Sequence, residues 1–234
     1  MVKKIDTAIV RLWGEIVGAV SWLDERGYGV FEYDRDFIKK GLDASPITMG
    51  LGVAGSGDGK FFFPALNKET YLGLPGLLAD VLPDKFGNSI IDAWLARNGR
   101  DSKSFSPVER LCYTGKRGMG ALEFSPPVIE GYDKLVAVEI SELVKLTQDV
   151  MNERKELNVQ LADGDHENAD AILDILRVGT SAGGARPKAV IAMNDKGDVL
   201  SGQADAPKGY DYWLLKFDGV TDLELGKPMG DGRI

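Results

Sequence analysis

The reading turns on Gly179-Thr180-Ser181-Ala182-Gly183-Gly184-Ala185-Arg186-Pro187-Lys188, with the apolar run Ala189–Met193 directly behind it. Three glycines, two hydroxyls and two cations stand within ten residues. A turn at Asn194-Asp195-Lys196-Gly197 and a short run, Asp198–Leu200, follow, and then a third run, Tyr210–Phe217, which carries Lys216. Glycine lets a backbone come close to a ligand and reach positive φ, and successive exposed N–H groups make an anion-binding concavity. A glycine-rich loop opening a hairpin, with a lysine two strands on, is how kinase-type folds cradle nucleotide phosphates. Residue types alone leave open an ordinary surface turn. In the third run, alternation sets Trp213, Leu215 and Phe217 on one face and Tyr212, Leu214 and Lys216 on the other. Two largely apolar faces predict a central strand, where a lysine needs an anionic partner. The alternative is a strand-end lysine reaching water.

The rest of the chain sets the bounds. At 234 residues it holds one or two domains and needs no covalent staple to fold. Its 36 acidic and 28 basic residues give a net charge of −8, which argues against broad nucleic-acid binding, since phosphate contacts need a basic face. The single cysteine, Cys112, cannot form an internal disulfide, and no cysteine or histidine cluster offers a metal site. No signal peptide is read after Met1, and no run approaches a membrane span. The expected compartment is the cytoplasm.

Ile5–Trp13, Glu15–Leu23 and Gly27–Tyr33 are rich in β-branched and aromatic residues and read as strands. Asp34–Gly41 reads as a helical turn ending at glycine, and Thr48–Val53 and Phe61–Leu66 as short strands. Between those two lies Ala54-Gly55-Ser56-Gly57-Asp58-Gly59-Lys60, which lacks the first glycine of a phosphate loop and has Phe61 where a metal-holding hydroxyl belongs. It reads as a hairpin loop. Pro75–Leu82 and Pro83–Asn98 read as helices, the second with a buried face of Ile90, Ile91, Trp94 and Leu95. Ser106-Pro107-Val108-Glu109 has the serine cap, early proline and third-position glutamate of a capping box. Gly115–Gly120 reads as a turn whose Lys116 and Arg117 are solvated rather than anion-binding, and Ala121–Phe124 as a strand. Pro126-Pro127 marks the expected domain boundary. Helices are expected over 139–160 and 169–178. The link Asp163–Asn168 has the Asp-to-Asn spacing of a kinase catalytic loop, but it precedes the glycine loop and suits a helix cap instead.

Two blocks resemble the HipA family, the serine/threonine-kinase toxins of bacterial toxin–antitoxin pairs. Leu82-Pro83-Asp84-Lys85-Phe86-Gly87-Asn88, with Leu111–Leu122 after it, is similar to the family's N-terminal region. Ser181–Lys188, with the following strands and Leu215-Lys216, is similar to its phosphate loop and nucleotide lobe. The resemblance implies an α+β fold, with a small N-terminal α+β domain at 1–128 followed by a kinase-like nucleotide lobe, antiparallel sheet plus helices, at 129–234. It implies that Ser181 is autophosphorylated. It further implies that Gly183, Gly184, Ala185, Arg186, Pro187 and Lys188 bind the ATP phosphates together with Lys216. Arg186 and Pro187 depart from the loop of the family's best-known member.

By the same resemblance, the catalytic aspartate and the Mg²⁺ ligands belong to a helical lobe expected after Ile234. This chain is therefore expected to contain no catalytic residue or metal ligand, to be the N-terminal part of such a kinase, and to have little activity alone. A HipB-like antitoxin is the partner the resemblance implies. The other reading is a non-catalytic module that binds an antitoxin or a kinase lobe supplied elsewhere.

Overall fold

The structure, a computed structural model, describes residues 3–56, 59–118, 120–128, 137, 140–141, 188–202 and 205–216. Its strands are β1 (Thr7–Leu12), β2 (Glu15–Leu23), β3 (Tyr28–Tyr33), β4 (Lys60–Phe61), β5 (Leu122–Ser125), β6 (Lys188–Asn194), β7 (Val199–Ser201) and β8 (Tyr210–Lys216). Its helices are α1 (Arg35–Lys40), α2 (Leu51–Ser56), α3 (Lys68–Tyr71), α4 (Gly76–Ala79), α5 (Lys85–Arg97) and α6 (Pro107–Thr114), with a short 3₁₀ turn at Ser102–Ser104. This is the mixed α+β architecture with antiparallel sheets that the sequence predicts. The described residues fall into two compact units, one of 3–82 with 103–128, the other of 83–102 with those beyond 136.

In the first unit, five antiparallel strands lie in the order β4-β3-β2-β1-β5. Period-two alternation sends Val10, Val20, Phe31 and Tyr33 to one face, where each is buried. Phe37 of α1 joins them, stacked on Tyr33, and α6 packs across β1, β2 and β5. Burying each such side chain stabilises the fold by roughly 1.5–3 kcal/mol. Gly18 is required where β2 meets β3, because a Cβ there would collide with the Glu32 carbonyl oxygen. The β1–β2 connection is the two-residue turn Trp13-Gly14, with φ of 51° and 80°. Both positions need positive φ in a turn of this kind. Gly14 adopts it freely, whereas Trp13 holds a left-handed backbone at a cost of roughly 1–2 kcal/mol.

Helix ends follow local chemistry. The Asp34 carboxylate accepts the N–H groups of Asp36 and Phe37 to start α1, and Gly41 closes it. The capping box read at Ser106–Glu109 is present in full: Ser106 Oγ accepts the Glu109 N–H, and Glu109 Oε2 accepts the Ser106 N–H at 2.8 Å. Glu109 is fully buried, and its other oxygen, Oε1, accepts the Ile5 N–H at 3.1 Å. One carboxylate thus fastens the N-terminal segment to α6.

Two local expectations need correction. Thr48–Val53 is not a strand: the chain turns at 46–49 and enters α2 at Leu51, whose N–H is accepted by Asp43 Oδ2. Ala54–Ser56 therefore belong to α2, and the stretch that ends at Lys60 leads from a helix into β4 and does not join two strands. The strand expected over Phe61–Leu66 is only Lys60–Phe61, because α3, capped by Asn67, starts soon after.

The second unit contains α5 and the sheet β7-β6-β8. Asp84 caps α5 by accepting the Gly87 N–H, and Ile90, Ile91, Trp94 and Leu95 are buried as their spacing predicts. Helices expected over 139–160 and 169–178 lie outside the described residues, save 140–141, which are helical.

Candidate functional site

The β6–β7 hairpin is fixed by its own turn residues. Asn194 Oδ1 accepts the N–H groups of Lys196 and Asp198, and Asn194 Nδ2 donates to Asp198 Oδ2 at 2.7 Å. Ser201 is fully buried, and Gly202 donates its N–H to the Val190 carbonyl. β6 is thereby held on one side by β7 and on the other by β8. Its Ala189, Ile191 and Ala192 are buried, so β6 is the centre of this three-stranded sheet.

The register of β6 against β8 pairs Lys188 with Lys216, Ala189 with Leu215, Val190 with Leu214 and Ile191 with Trp213. Residues directly opposite on antiparallel strands project from the same face, with Cβ atoms about 4.5–5.5 Å apart. The last residue of the glycine-rich stretch and the lysine two strands on are therefore immediate neighbours on one face of the sheet. Like charges placed this way oppose pairing of the strands by roughly 0.2–1 kcal/mol. An anion between the two ammonium groups reverses that sign.

The position of β8 differs from the sequence expectation. Among the described residues it is an edge strand, not a central one, and Tyr212, Trp213 and Leu214 are exposed. Alternating apolar residues on both faces suggested double burial, but among the described residues this strand has a neighbour on one side only. Lys216 is exposed in turn, so its ammonium carries no burial cost that demands a partner. The order of the pair therefore rests on register and not on desolvation.

Ser181, Gly183, Gly184, Ala185, Arg186 and Pro187 lie outside the described residues, as does the link 163–168. Lys188 and Lys216 are the two sequence-derived site residues that the structure places and brings together. Sequence reading named each without seeing that they face one another, since the register between β6 and β8, with β7 intervening in the chain, is not a local property. Arg117, weighed as an anion ligand, is engaged within the fold: its guanidinium lies 4.7 Å from the Tyr113 ring centroid and donates to the Tyr113 carbonyl. Among the described residues no group of three or more His, Cys, Asp or Glu side chains could hold a metal ion. No described helix is long and apolar enough to cross a membrane.

Comparison with known proteins adds one positive finding. A family model described as the HipA N-terminal domain matches residues 8–125, which is 118 of the 234 residues. No curated protein matches the chain.

Proposed function

The chain belongs to the HipA family through its N-terminal domain, and we propose that its second unit holds the phosphates of ATP as the nucleotide lobe of a toxin-type serine/threonine protein kinase. The observation that carries this reading is the facing pair of Lys188, the last residue of the glycine-rich stretch, and Lys216. In the proposed arrangement the backbone of Gly183 to Pro187 contributes N–H donors, except at the proline. Arg186, Lys188 and Lys216 balance phosphate charge. ATP, when bound, supplies the phosphoryl group. The residues of this chain bind and orient it, with Lys188 half-buried and Lys216 exposed to solvent.

Ser181, two residues before Gly183, is the proposed self-modification site. A phosphate there adds close to two negative charges beside the cations that hold ATP, and competes with the nucleotide for them. We further propose a HipB-like antitoxin as partner, the cytoplasm as compartment, and a division of the chain at Pro126-Pro127 into 1–128 and 129–234.

Calorimetric titration with a non-hydrolysable ATP analogue tests the reading. Each charge-assisted contact contributes about 1.5–3 kcal/mol, so Lys216→Ala should weaken binding roughly ten- to a hundredfold. Ser181→Asp should weaken it as well, while Ser181→Ala leaves it unchanged. Equal affinities for wild type and Lys216→Ala would remove the lysine pair from the site. Absence of binding by the wild type would favour the non-catalytic module.

A further inference from the structure

α5 ends on a dipeptide with reactive chemistry of its own. Of the seven asparagines in the chain, Asn98 alone is followed by glycine. Both residues are exposed, and a Cβ built on Gly99 would meet nothing within 4 Å. The Gly99 nitrogen therefore has no side chain of its own to shield it, and solvent reaches the Asn98 carboxamide beside it. That nitrogen is a nucleophile once deprotonated, and the carboxamide carbon one residue back is its electrophile.

The C-terminal cap of α5 keeps these two atoms apart. Closing a five-membered ring between them needs Cβ of Asn98 and the Gly99 nitrogen eclipsed about the Cα–C bond. Asn98 has φ −89° and ψ 10°, which nearly eclipses its own backbone nitrogen with that of Gly99 and leaves Cβ well to the side. Three hydrogen bonds hold this geometry. Asn98 Nδ2 donates to the Trp94 carbonyl at 2.8 Å, the Gly99 N–H to the Ala96 carbonyl at 3.0 Å, and the Arg100 N–H to the Leu95 carbonyl at 2.9 Å. The first ties down the leaving group, the second occupies the nucleophile, and the third folds the chain back over the helix end.

We propose that Asn98 is a deamidation site, converted to aspartate and isoaspartate at a rate set by opening of the α5 cap. Helix ends open locally far more often than a domain unfolds, and here Trp94 and Leu95, one turn earlier, are buried. With the cap open, ψ of Asn98 turns freely and the Gly99 nitrogen gives its proton to base and adds to Cγ. The new C–N bond forms as the Cγ–Nδ2 bond breaks, and ammonia leaves with a proton from solvent. Water then opens the cyclic imide at either carbonyl. The product carries one new negative charge, and no oxidant or cofactor takes part. Deamidation also weakens the cap that restrains it. The donor to the Trp94 carbonyl is lost, and a carboxylate now stands at the negative end of the helix dipole. Isoaspartate in addition lengthens the backbone by one carbon, which displaces the Gly99 and Arg100 donors from their carbonyls.

Peptide mapping by mass spectrometry of the 234-residue chain, kept in warm, mildly alkaline buffer with and without urea, tests it. In the unfolded chain Asn98 should convert faster than any other asparagine. In the folded chain its conversion should be slower by about tenfold or more, and by the same factor as hydrogen exchange at the Gly99 amide. Asn98→Asp copies one product and changes an exposed side chain, so circular dichroism should show it folded. Exchange at its Gly99 and Arg100 amides should rise roughly two- to fivefold, the size of a charge–dipole effect. Equal conversion in folded and unfolded chains overturns the proposal. So does a folded chain that stays unmodified while its Gly99 amide exchanges freely, or an unfolded chain with no preference for Asn98.

Discussion

Replacing Glu109 with alanine removes a carboxylate that joins the N-terminal segment at Ile5 to α6. Both its oxygens are used: Oε1 takes the Ile5 N–H and Oε2 the Ser106 N–H, in a side chain with no exposure to solvent. Hydrogen bonds to a charged acceptor contribute about 1.5–3 kcal/mol each, so the pair is worth roughly 3–6 kcal/mol. Removing a desolvated charge returns part of that, while the two donors lose their acceptor. A net loss of about 3–5 kcal/mol follows, a large share of the 5–15 kcal/mol typical of a domain. Ser106→Ala is the control, because it deletes the cap but leaves the carboxylate, and should cost only about 1 kcal/mol. Urea unfolding of the three proteins gives the free energies, and hydrogen exchange at the Ile5 amide locates the effect. In Glu109→Ala that amide should exchange faster even below the unfolding transition. A loss under about 1 kcal/mol, or unchanged protection at Ile5, would refute the reasoning.

Three further outcomes follow from the same structure. Burial pushes the Cys112 thiol from about 9 up to about 12, with the Glu109 carboxylate adding to the shift. The unfolded thiol therefore ionises first, and stability should fall as pH rises from about 9 to 12, a fall that Cys112→Val removes; below pH 9 the thiol should resist alkylation unless the protein is unfolded. The Tyr33 hydroxyl is buried with no hydrogen-bond partner among the described residues, so Tyr33→Phe should leave thermal stability unchanged or raise it by roughly 1 kcal/mol, and a marked drop in melting temperature would contradict this. Limited proteolysis should cut near residues 126–131 before it cuts within 188–216, and early cleavage inside the β6–β8 sheet would count against the proposed domain division.

What the sequence made legible was local. The Ser106-Pro107-Val108-Glu109 run predicts a capping box because every partner lies within one helical turn, and that box is present. The second use of Glu109 was invisible, since Ile5 is 104 residues away and only the packing of α6 against the sheet brings it near. Thr48–Val53 read as a strand from its β-branched residues, but Asp43 supplies an N-terminal acceptor for Leu51 and tips the segment into a helix. In the candidate site, glycine content and two cations pointed to an anion, and Lys188 and Lys216 were named without their pairing. That pairing is a property of the register between β6 and β8, two strands that are not consecutive in the chain. Alternation also overstated the burial of β8, because it reports which faces are apolar and not whether anything covers them.

The central proposal is that Lys188 and Lys216, which face each other across β6 and β8, hold phosphate. Thermal unfolding of wild type and Lys216→Ala, each with and without a saturating non-hydrolysable ATP analogue, tests it most directly. Relieving a like-charged cross-strand pair should make the ligand-free variant as stable as wild type or up to about 1 kcal/mol more so. The analogue at about a hundred times its dissociation constant should stabilise wild type by about 2.7 kcal/mol and, at the same concentration, the variant by much less. A variant that is less stable without ligand yet gains as much from the analogue would show that Lys216 serves the fold and not the phosphate.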